Sequence, residues 1–266
     1  MSDRVLAPFG RRSAEIVACE PLGAYVVVRA RDQAGPVPAA GQFYMLSTPQ
    51  WGGEQDDRPF LPRAFSVARA ADGVLDFVFE AVGPGTERLA RLRAREQLLL
   101  VGPLGVGFTA PADGRRALLV GGGIGIAPML IWQDELRARG VDHAVLLGFR
   151  DEDFAQAATL FDDPVIATDD GSAGHHGFVT DLLRAELAND PHATVHACGP
   201  HGMLEAVRQI AAEAGVPAQL ALESGMACGF GACFGCVVPL AEGGYARVCV
   251  DGPVLDAGRL LEVPQR

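Results

Sequence analysis

The sequence predicts a multi-domain α+β protein: an antiparallel β-barrel, an α/β domain on a parallel sheet, and a small cysteine-bearing C-terminal domain. Three observations predict it. The first hundred residues carry short alternating or β-branched apolar segments separated by turn formers. From about residue 115, strand-like and helix-like segments alternate, a rhythm that demands right-handed crossovers and a parallel sheet. Four of the six cysteines fall in the last fifth of the chain. The expected domain limits are residues 1–112, 113–222 and 223–266.

In order, the expected strands of the first part are Ala14–Cys19, Tyr25–Ala30, Gln42–Ser47, Ala64–Ala68, Val74–Glu80 and Gln97–Val101. Asp32-Gln33-Ala34-Gly35-Pro36, Trp51-Gly52-Gly53 and Asp72-Gly73 supply turns between them. Several short strands at this spacing suggest a small antiparallel barrel. A helix over Thr86–Arg95 interrupts them, with Leu89 and Leu92 on one face. In the second part the expected strands are Ala117–Val120, His143–Phe149, Val165–Thr168, Thr194–Ala197 and Ala218–Leu222. The helices between them are Ile126–Arg139, Asp153–Phe161, Phe178–Ala188 and Pro200–Ala214. Ligands of such sheets bind outside the carboxyl ends of the strands.

A chain of 266 residues suits two domains, or two and a small appendage, and 49% hydrophobic residues argue against disorder. The net charge of −11 opposes binding to nucleic acid or anionic membranes. Apolar runs such as Ala117–Val120 and Val145–Leu147 are too short to span a bilayer. Met1–Arg12 is polar and lacks the apolar core of a signal peptide. The expectation is a soluble, cytoplasmic protein with no nucleic-acid or membrane partner.

The cysteines carry the sharpest chemistry. Cys228, Cys233 and Cys236, followed by Cys249, have the C-x4-C-x2-C…C spacing of a [2Fe–2S] cluster of the plant-ferredoxin type. Gly229, Gly231 and Gly235 let the backbone fold closely round such a group, with amides free to reach its sulfurs. A structural zinc site is the alternative, although zinc ribbons present two separated C-x2-C knuckles. Here three cysteines share one loop and the fourth follows a strand-like stretch, Tyr245–Val250. A disulfide framework fits poorly with a reducing cytosol.

Upstream, Gly121-Gly122-Gly123-Ile124-Gly125-Ile126-Ala127-Pro128 follows a strand and opens a helix. Its glycines let a pyrophosphate approach the backbone, and Pro128 suits the first helical turn. Ile126 stands where a dinucleotide fingerprint has its third glycine, so this is a variant of the pattern. Cys198-Gly199-Pro200 ends a later strand, where Cys198 either lines the same cleft or is a small buried hydrophobe. Asp169-Asp170-Gly171 touches a ribose or simply turns the chain. Arg63-Ala64-Phe65-Ser66 offers a phosphate-pairing guanidinium, an aromatic ring and a hydroxyl. Alternation puts Arg63 and Phe65 on one face and Ala64 and Ser66 on the other, unless a bend intervenes. Gly83-Pro84-Gly85-Thr86 precedes a helix, an anion-binding start with a capping hydroxyl. Phe65 and Phe79 are either core residues or ring contacts.

The succession Arg63-x-x-Ser66, Gly83-x-Gly85-Thr86, Gly121–Pro128 and Cys198-Gly199-Pro200 resembles the ferredoxin–NADP reductase superfamily. The cysteine loop, Asp169-Asp170-Gly171-Ser172, Gly177-Phe178-Val179-Thr180 and Arg247-Val248-Cys249-Val250-Asp251-Gly252-Pro253-Val254 sharpen it. With them the chain is similar to the electron-transfer subunits of class 1B dihydroorotate dehydrogenases, over nearly its whole length. The resemblance implies a barrel that holds FAD through Arg63, Ala64, Phe65, Ser66, Val78, Phe79 and Glu80, with Gly85 and Thr86 at the pyrophosphate. It implies NAD at Gly121, Gly122, Gly123, Ile124, Gly125, Pro128, Cys198, Gly199 and Pro200, with Cys198 near the nicotinamide. Cys228, Cys233, Cys236 and Cys249 would ligate the cluster. It also implies an FMN-containing dihydroorotate dehydrogenase catalytic subunit as partner, in a heterotetramer of two of each.

The chain departs from the superfamily pattern in three places. Phe65 stands where many members have Tyr or another apolar residue, the Thr48–Leu61 segment is long, and no aromatic residue ends the chain. Sibling chains serve NADH-dependent ferredoxin:NADP oxidoreductases, sulfide dehydrogenases and some hydrogenases. In the first two the place of Cys228 tends to hold Asp, so Cys228 favours the dihydroorotate family. A free-standing reductase feeding an oxygenase or ferredoxin is a rival reading, and a zinc-stabilised nucleotide-binding module is a non-enzymatic one. Phe230, Phe234 and Pro239 are the expected apolar contact surface for a partner.

Overall fold

The computed structural model describes residues 10–49, 61–112 and 114–263. Met1–Phe9, Trp51-Gly52-Gly53 and the last three residues therefore lie outside the described residues. Seven strands build the first sheet: β1 (Arg12–Leu22), β2 (Tyr25–Arg31), β3 (Phe43–Ser47), β4 (Arg63–Ser66), β5 (Arg69–Ala71), β6 (Val74–Phe79) and β7 (Gln97–Leu104). Their order is β4-β3-β7-β1-β2-β6-β5, with every pair antiparallel. The segment between β4 and β5 bonds beside β3 and to β6, the strands next to the two ends of that order. Val67 N–H donates to the carbonyl of Gln42 at 3.3 Å, and Ala68 N–H to that of Asp76 at 2.9 Å. β5 has no counterpart in the sequence expectation, because three residues give no readable period.

The helix expected over Thr86–Arg95 is α1 (Pro84–Ala90), shifted toward the N-terminus. Pro84 sets its first turn. It stops early because the chain turns at Arg93–Glu96, where the Glu96 carboxylate accepts from Arg93 N–H and Arg95 takes a φ of 73°. Leu89 and Leu92 are both buried, as their spacing predicts.

The second sheet contains β8 (Arg116–Gly122), β9 (His143–Phe149), β10 (Pro164–Thr168), β11 (His175–His176), β12 (Ala193–Cys198), β13 (Ala218–Ala221) and β16 (Val254–Asp256). Its order is β11-β10-β9-β8-β12-β13-β16, parallel except for β13 against β16. The order reverses between β8 and β12, which makes their carboxyl ends the ligand edge of the sheet. Both faces are covered, so β8 reads as a continuous apolar run. Ala117 and Leu119 pack toward α2 (Ile126–Ala138), and Leu118 and Val120 toward α4 (Val179–Asn189) and α5 (His201–Ala214).

α2 touches β8, β9, β12 and also β5 of the first sheet. That position explains why it is apolar nearly all round, with Trp132 fully buried. Two of its acidic residues reach across to the first part of the chain: Asp134 pairs with Arg69 at 2.8 Å, and Glu135 accepts from Ala40 N–H at 2.7 Å.

The helix expected over Asp153–Phe161 is split into α3 (Glu152–Ala155) and a 3-10 turn (Gln156–Leu160). The buried Gln133 carboxamide fixes its end, bonding the carbonyl and the N–H of Asp162 at 2.8 and 3.1 Å. In the cysteine segment, β14 (Val237–Pro239) pairs with β15 (Tyr245–Arg247). The strand expected over Tyr245–Val250 ends at Arg247, whose carbonyl accepts from the N–H of both Val250 and Asp251. β16 then returns to the edge of the parallel sheet, so pairing crosses the expected limit at residue 222. No helix among the described residues is long and apolar enough to cross a membrane.

Candidate functional site

One cleft of about 550 Å³ gathers residues from every part of the chain. β4 contributes Arg63, Ala64, Phe65 and Ser66, and β6 contributes Val78 and Phe79, followed by Glu80 and Val82. Thr86 comes from α1, Ile124 and Ala127 from the turn into α2, and Cys198 from the carboxyl end of β12. All four residues of β4 border the cleft, whereas strand alternation alone divides them between two faces. β4 is the short edge of its sheet, so the cleft is reached from both of its sides. Phe65 and Phe79 meet at a ring-centroid distance of 5.2 Å, tilted by 58°. Both wall the cleft although Phe79 is buried, so the core and contact readings of these rings are not exclusive.

The Thr86 hydroxyl accepts from the N–H of Val82 at 2.9 Å and of Gly83 at 3.1 Å. It thus holds the entry to α1 from inside the helix, and Gly85 is buried in that first turn.

Gly121–Pro128 and Cys198-Gly199-Pro200 come together at the carboxyl edge of the second sheet. A Cβ on Gly125 would lie 2.3 Å from the Cys198 carbonyl oxygen and 2.5 Å from the Gly199 nitrogen. One on Gly122 would lie 2.3 Å from Met203 Sδ and 3.2 Å from Pro200 Cδ. Packing therefore accounts for these two glycines. Gly123 differs: its φ is 53° and nothing lies within 4 Å of its missing Cβ, so its backbone is open to a ligand. Of this group Ile124 and Cys198 line the cleft, while Gly121, Gly122, Gly123, Gly125, Pro128, Gly199 and Pro200 sit behind or beside it. Burial, with the negative charge of Glu223 beside it, raises the Cys198 thiol far above its ordinary range, so the group stays a thiol.

Asp170 turns the chain, accepting from the Ser172 N–H and hydroxyl at 2.9 and 2.6 Å, and these bonds lower its carboxyl. Asp151 caps α3 through the N–H of Asp153 and Phe154, and Arg150 lies 4.2 Å over the Phe154 ring.

Leu222, Glu223, Ser224, Gly225, Met226, Phe43 and Pro253 also line the cleft, and sequence reasoning did not single them out as site residues. A signal for the first five existed. They follow β13 directly, at the ligand edge of a parallel sheet, and lead into the first cysteine of the loop.

The four C-terminal cysteines lie as two neighbouring pairs. Cys236 and Cys249 are buried with their Sγ atoms 3.2 Å apart. The Cys233 side chain lies close enough to Cys228 to help lower its thiol. Burial acts to raise the Cys228 thiol, but amides of Cys233, Phe230 and Ala232 outweigh it and hold the group below its ordinary value. Burial and the Cys236 thiol raise Cys249, against an opposing amide of Gly231. Among the described residues no three Cys, His, Asp or Glu side chains converge on a single metal ion. Two thiol pairs, each reached by backbone amides, suit a group of two metal atoms better than one zinc. The loop also abuts the first sheet, since a Cβ on Gly229 would lie 2.6 Å from Met45 Cγ.

Comparison with known proteins gives this arrangement its relatives. Residues 223–261 match the family described as the iron-sulfur cluster binding domain of dihydroorotate dehydrogenase B. The chain is 35% identical over 231 residues to the dihydroorotate dehydrogenase B (NAD(+)) electron transfer subunit of Caldanaerobacter subterraneus subsp. tengcongensis, covering 85% of this chain and 89% of that one. It is 41% identical to the subunit of the same name from Geobacillus thermodenitrificans, covering 76% and 81%. Among solved structures, an NADH-dependent reduced ferredoxin-NADP oxidoreductase superposes with a TM-score of 0.78 at 26% identity, covering 94% and 90%. That structure shares this chain's multi-domain fold, in which an antiparallel sheet and a mostly parallel sheet meet. Identity at this level over most of both chains is shared with the dihydroorotate dehydrogenase B subunits, and this chain belongs to the family of dihydroorotate dehydrogenase B electron transfer subunits.

Proposed function

We propose that this chain passes electrons from dihydroorotate oxidation to NAD+ in pyrimidine biosynthesis, as an NAD-linked flavin iron-sulfur oxidoreductase subunit. One observation carries the reading: the cleft joins β4 and β6, the ligand edge of the parallel sheet and the segment entering the cysteine loop. When bound, FAD and a [2Fe–2S] cluster join one-electron transfer to the two-electron reduction of NAD+.

This chain's residues hold and orient. Arg63 offers a guanidinium to flavin phosphate, and Phe65, Phe79 and Val78 wall the ring site. Thr86 keeps the backbone at Gly85 in place. The open backbone at Gly123 and the start of α2 receive the nicotinamide nucleotide, and Ile124 and Cys198 carry that site into the flavin cleft. Cys228 with Cys233, and Cys236 with Cys249, hold the cluster as two pairs.

We read the first sheet as a barrel closed through Val67 and Ala68, within residues 1–112. Residues 113–222 form the NAD domain and 223–266 the cluster domain, with β16 tying the last to the second. The partner is an FMN-containing catalytic subunit, two of each forming a cytoplasmic heterotetramer. It docks where Phe230 and Phe234 are 50% and 61% exposed beside the cysteine loop, near Pro239.

The test mixes purified chain, dihydroorotate and NAD+, with and without the candidate FMN subunit. Orotate should form only with both subunits. Full turnover by this chain alone removes the partner requirement, and a colourless zinc protein refutes the redox reading. NADH-driven reduction of a soluble ferredoxin, with no activity on dihydroorotate in the complex, would instead place the chain with its structural neighbour.

A further inference from the structure

We propose that Arg247 is a positioning residue for the cluster loop. Its planar guanidinium clamps the turn that carries Cys249 onto the loop that carries Cys228, Cys233 and Cys236. The inference rests on the cluster reading given above.

Three of the cysteines share one loop, and the fourth arrives only after the β14–β15 hairpin, so a brace is needed between the two segments. One strut is backbone: Val248 N–H donates to the Cys236 carbonyl at 2.9 Å. Arg247 supplies a second. Its carbonyl accepts from the N–H of Val250 at 2.9 Å and of Asp251 at 2.8 Å. Its own N–H donates to Asp251 Oδ2 at 2.9 Å, and its Nε–H donates to the same oxygen at 3.3 Å. Together these bonds close the turn 247–251, which has Cys249 at its centre.

The far end of the side chain crosses to the other segment. Nη1–H donates to the Gly231 carbonyl at 3.5 Å, and the guanidinium carbon stands 5.4 Å from the Phe234 ring centre. Gly231 meets this side chain directly: a Cβ there would lie 3.2 Å from Arg247 Nη1 and 2.7 Å from Val250 Cγ2. Phe234 has a φ of 57°, a left-handed conformation that bulky residues rarely hold without support. The cation against its ring is such support. Arg247 is 25% exposed and Asp251 27%, so water only partly screens the pair.

Arginine is suited to this task by shape as well as charge. Lysine has neither the fork that reaches Asp251 and Gly231 together nor a plane to lie against Phe234. The fixed positive charge also favours the more negative, reduced state of a cluster beside it. Charge and shape therefore separate in the test.

The experiment compares the holoprotein with Arg247→Lys and Arg247→Gln. It measures iron release to a chelator by loss of visible absorbance, the midpoint potential of the cluster, and flavin content as a check of the remaining fold. Both variants should release iron several-fold faster while keeping flavin. The potential should fall in Arg247→Gln and return in Arg247→Lys. Parental iron retention in either variant overturns the clamp, and an unchanged potential in Arg247→Gln overturns the placement of the charge. Should neither variant accumulate, Phe234→Leu, which removes the ring and leaves the charge, should speed iron release at unchanged potential. Parental retention in Phe234→Leu refutes the proposal. Failure of the cluster reading looks different, because the unmodified protein would then show no iron-sulfur absorbance.

Discussion

Substituting Gly125 by alanine tests whether the glycine run is built for packing or for a ligand. The added Cβ would lie 2.3, 2.4 and 2.5 Å from the Cys198 oxygen, the Cys198 carbonyl carbon and the Gly199 nitrogen. All three atoms are backbone, so no side chain can swing aside. Ordinary contact begins near 3.5 Å, so the turn into α2 and the end of β12 must part by roughly 1 Å. Overpacking of this kind costs about 1–3 kcal/mol. At about 2–4 °C per kcal/mol for chains of comparable size, the melting temperature should fall by roughly 2–12 °C. The movement also displaces Cys198 from the cleft, so the KM for NADH should rise with an artificial acceptor. Gly123→Ala is the contrasting variant. Its φ of 53° and open surroundings predict about 1–2 kcal/mol of left-handed strain and no displacement. Its methyl group should weaken NADH binding by standing where the pyrophosphate is proposed to lie. Thermal melts and NADH kinetics on both variants decide the matter. If Gly125→Ala melts with the unmodified protein and keeps its KM, the packing argument is wrong.

Burial holds His196 at about 4, below its ordinary 6.5, with its Nε2 bonded to the Thr109 carbonyl. The unfolded chain therefore binds more protons between these values, and stability present above pH 6.5 is lost as the pH falls toward 4, by at most about 3 kcal/mol. His196→Phe should flatten that acid limb in pH-dependent melts, since Gln219 still donates to Thr109 at 3.0 Å; an unchanged limb counts against the assignment. Cys198 should resist iodoacetamide at pH 8.5 in the folded protein and react once urea exposes it, as mapped by mass spectrometry; rapid native labelling would contradict its burial. Phe230→Ser should weaken reduction by the catalytic subunit while leaving the flavin and cluster spectra intact. Equal transfer rates would remove Phe230 from the docking face.

Much of the fold was legible because each layer has a distinct period. Alternation marked the antiparallel strands, and β8, β9, β10, β12 and β13 were readable as apolar runs between helices. What escaped was set by distant contacts. β5 and β11 are too short to show a period, and β16 is a strand only because β13 offers it an edge. The α1 and α3 limits moved because Glu96 and Gln133 fix them from outside the helices. The candidate site was legible in parts: spacing singled out the cysteines as a group, but nothing local could say that Cys249 lies against Cys236. Leu222–Met226 were overlooked because no residue among them carries a motif; their role comes from standing at the end of a strand.

The position of α2 joins these observations. A helix on one face of a parallel sheet ordinarily turns its polar side to water. Here the outer side of α2 faces a second sheet, and Asp134 and Glu135 bind Arg69 and the Ala40 amide across that boundary. The same helix starts at Gly125, against the backbone of Cys198, and Ala127 of its first turn lines the cleft. One rigid element thus sets the separation of the proposed flavin wall and the proposed nicotinamide edge. The cysteine loop is placed by a parallel device: Gly229 rests on Met45 of β3, and β16 returns the chain to the second sheet. Electron transfer between cofactors depends steeply on distance. A relay assembled from three segments therefore needs each of them tied to the other two, and these contacts supply the ties.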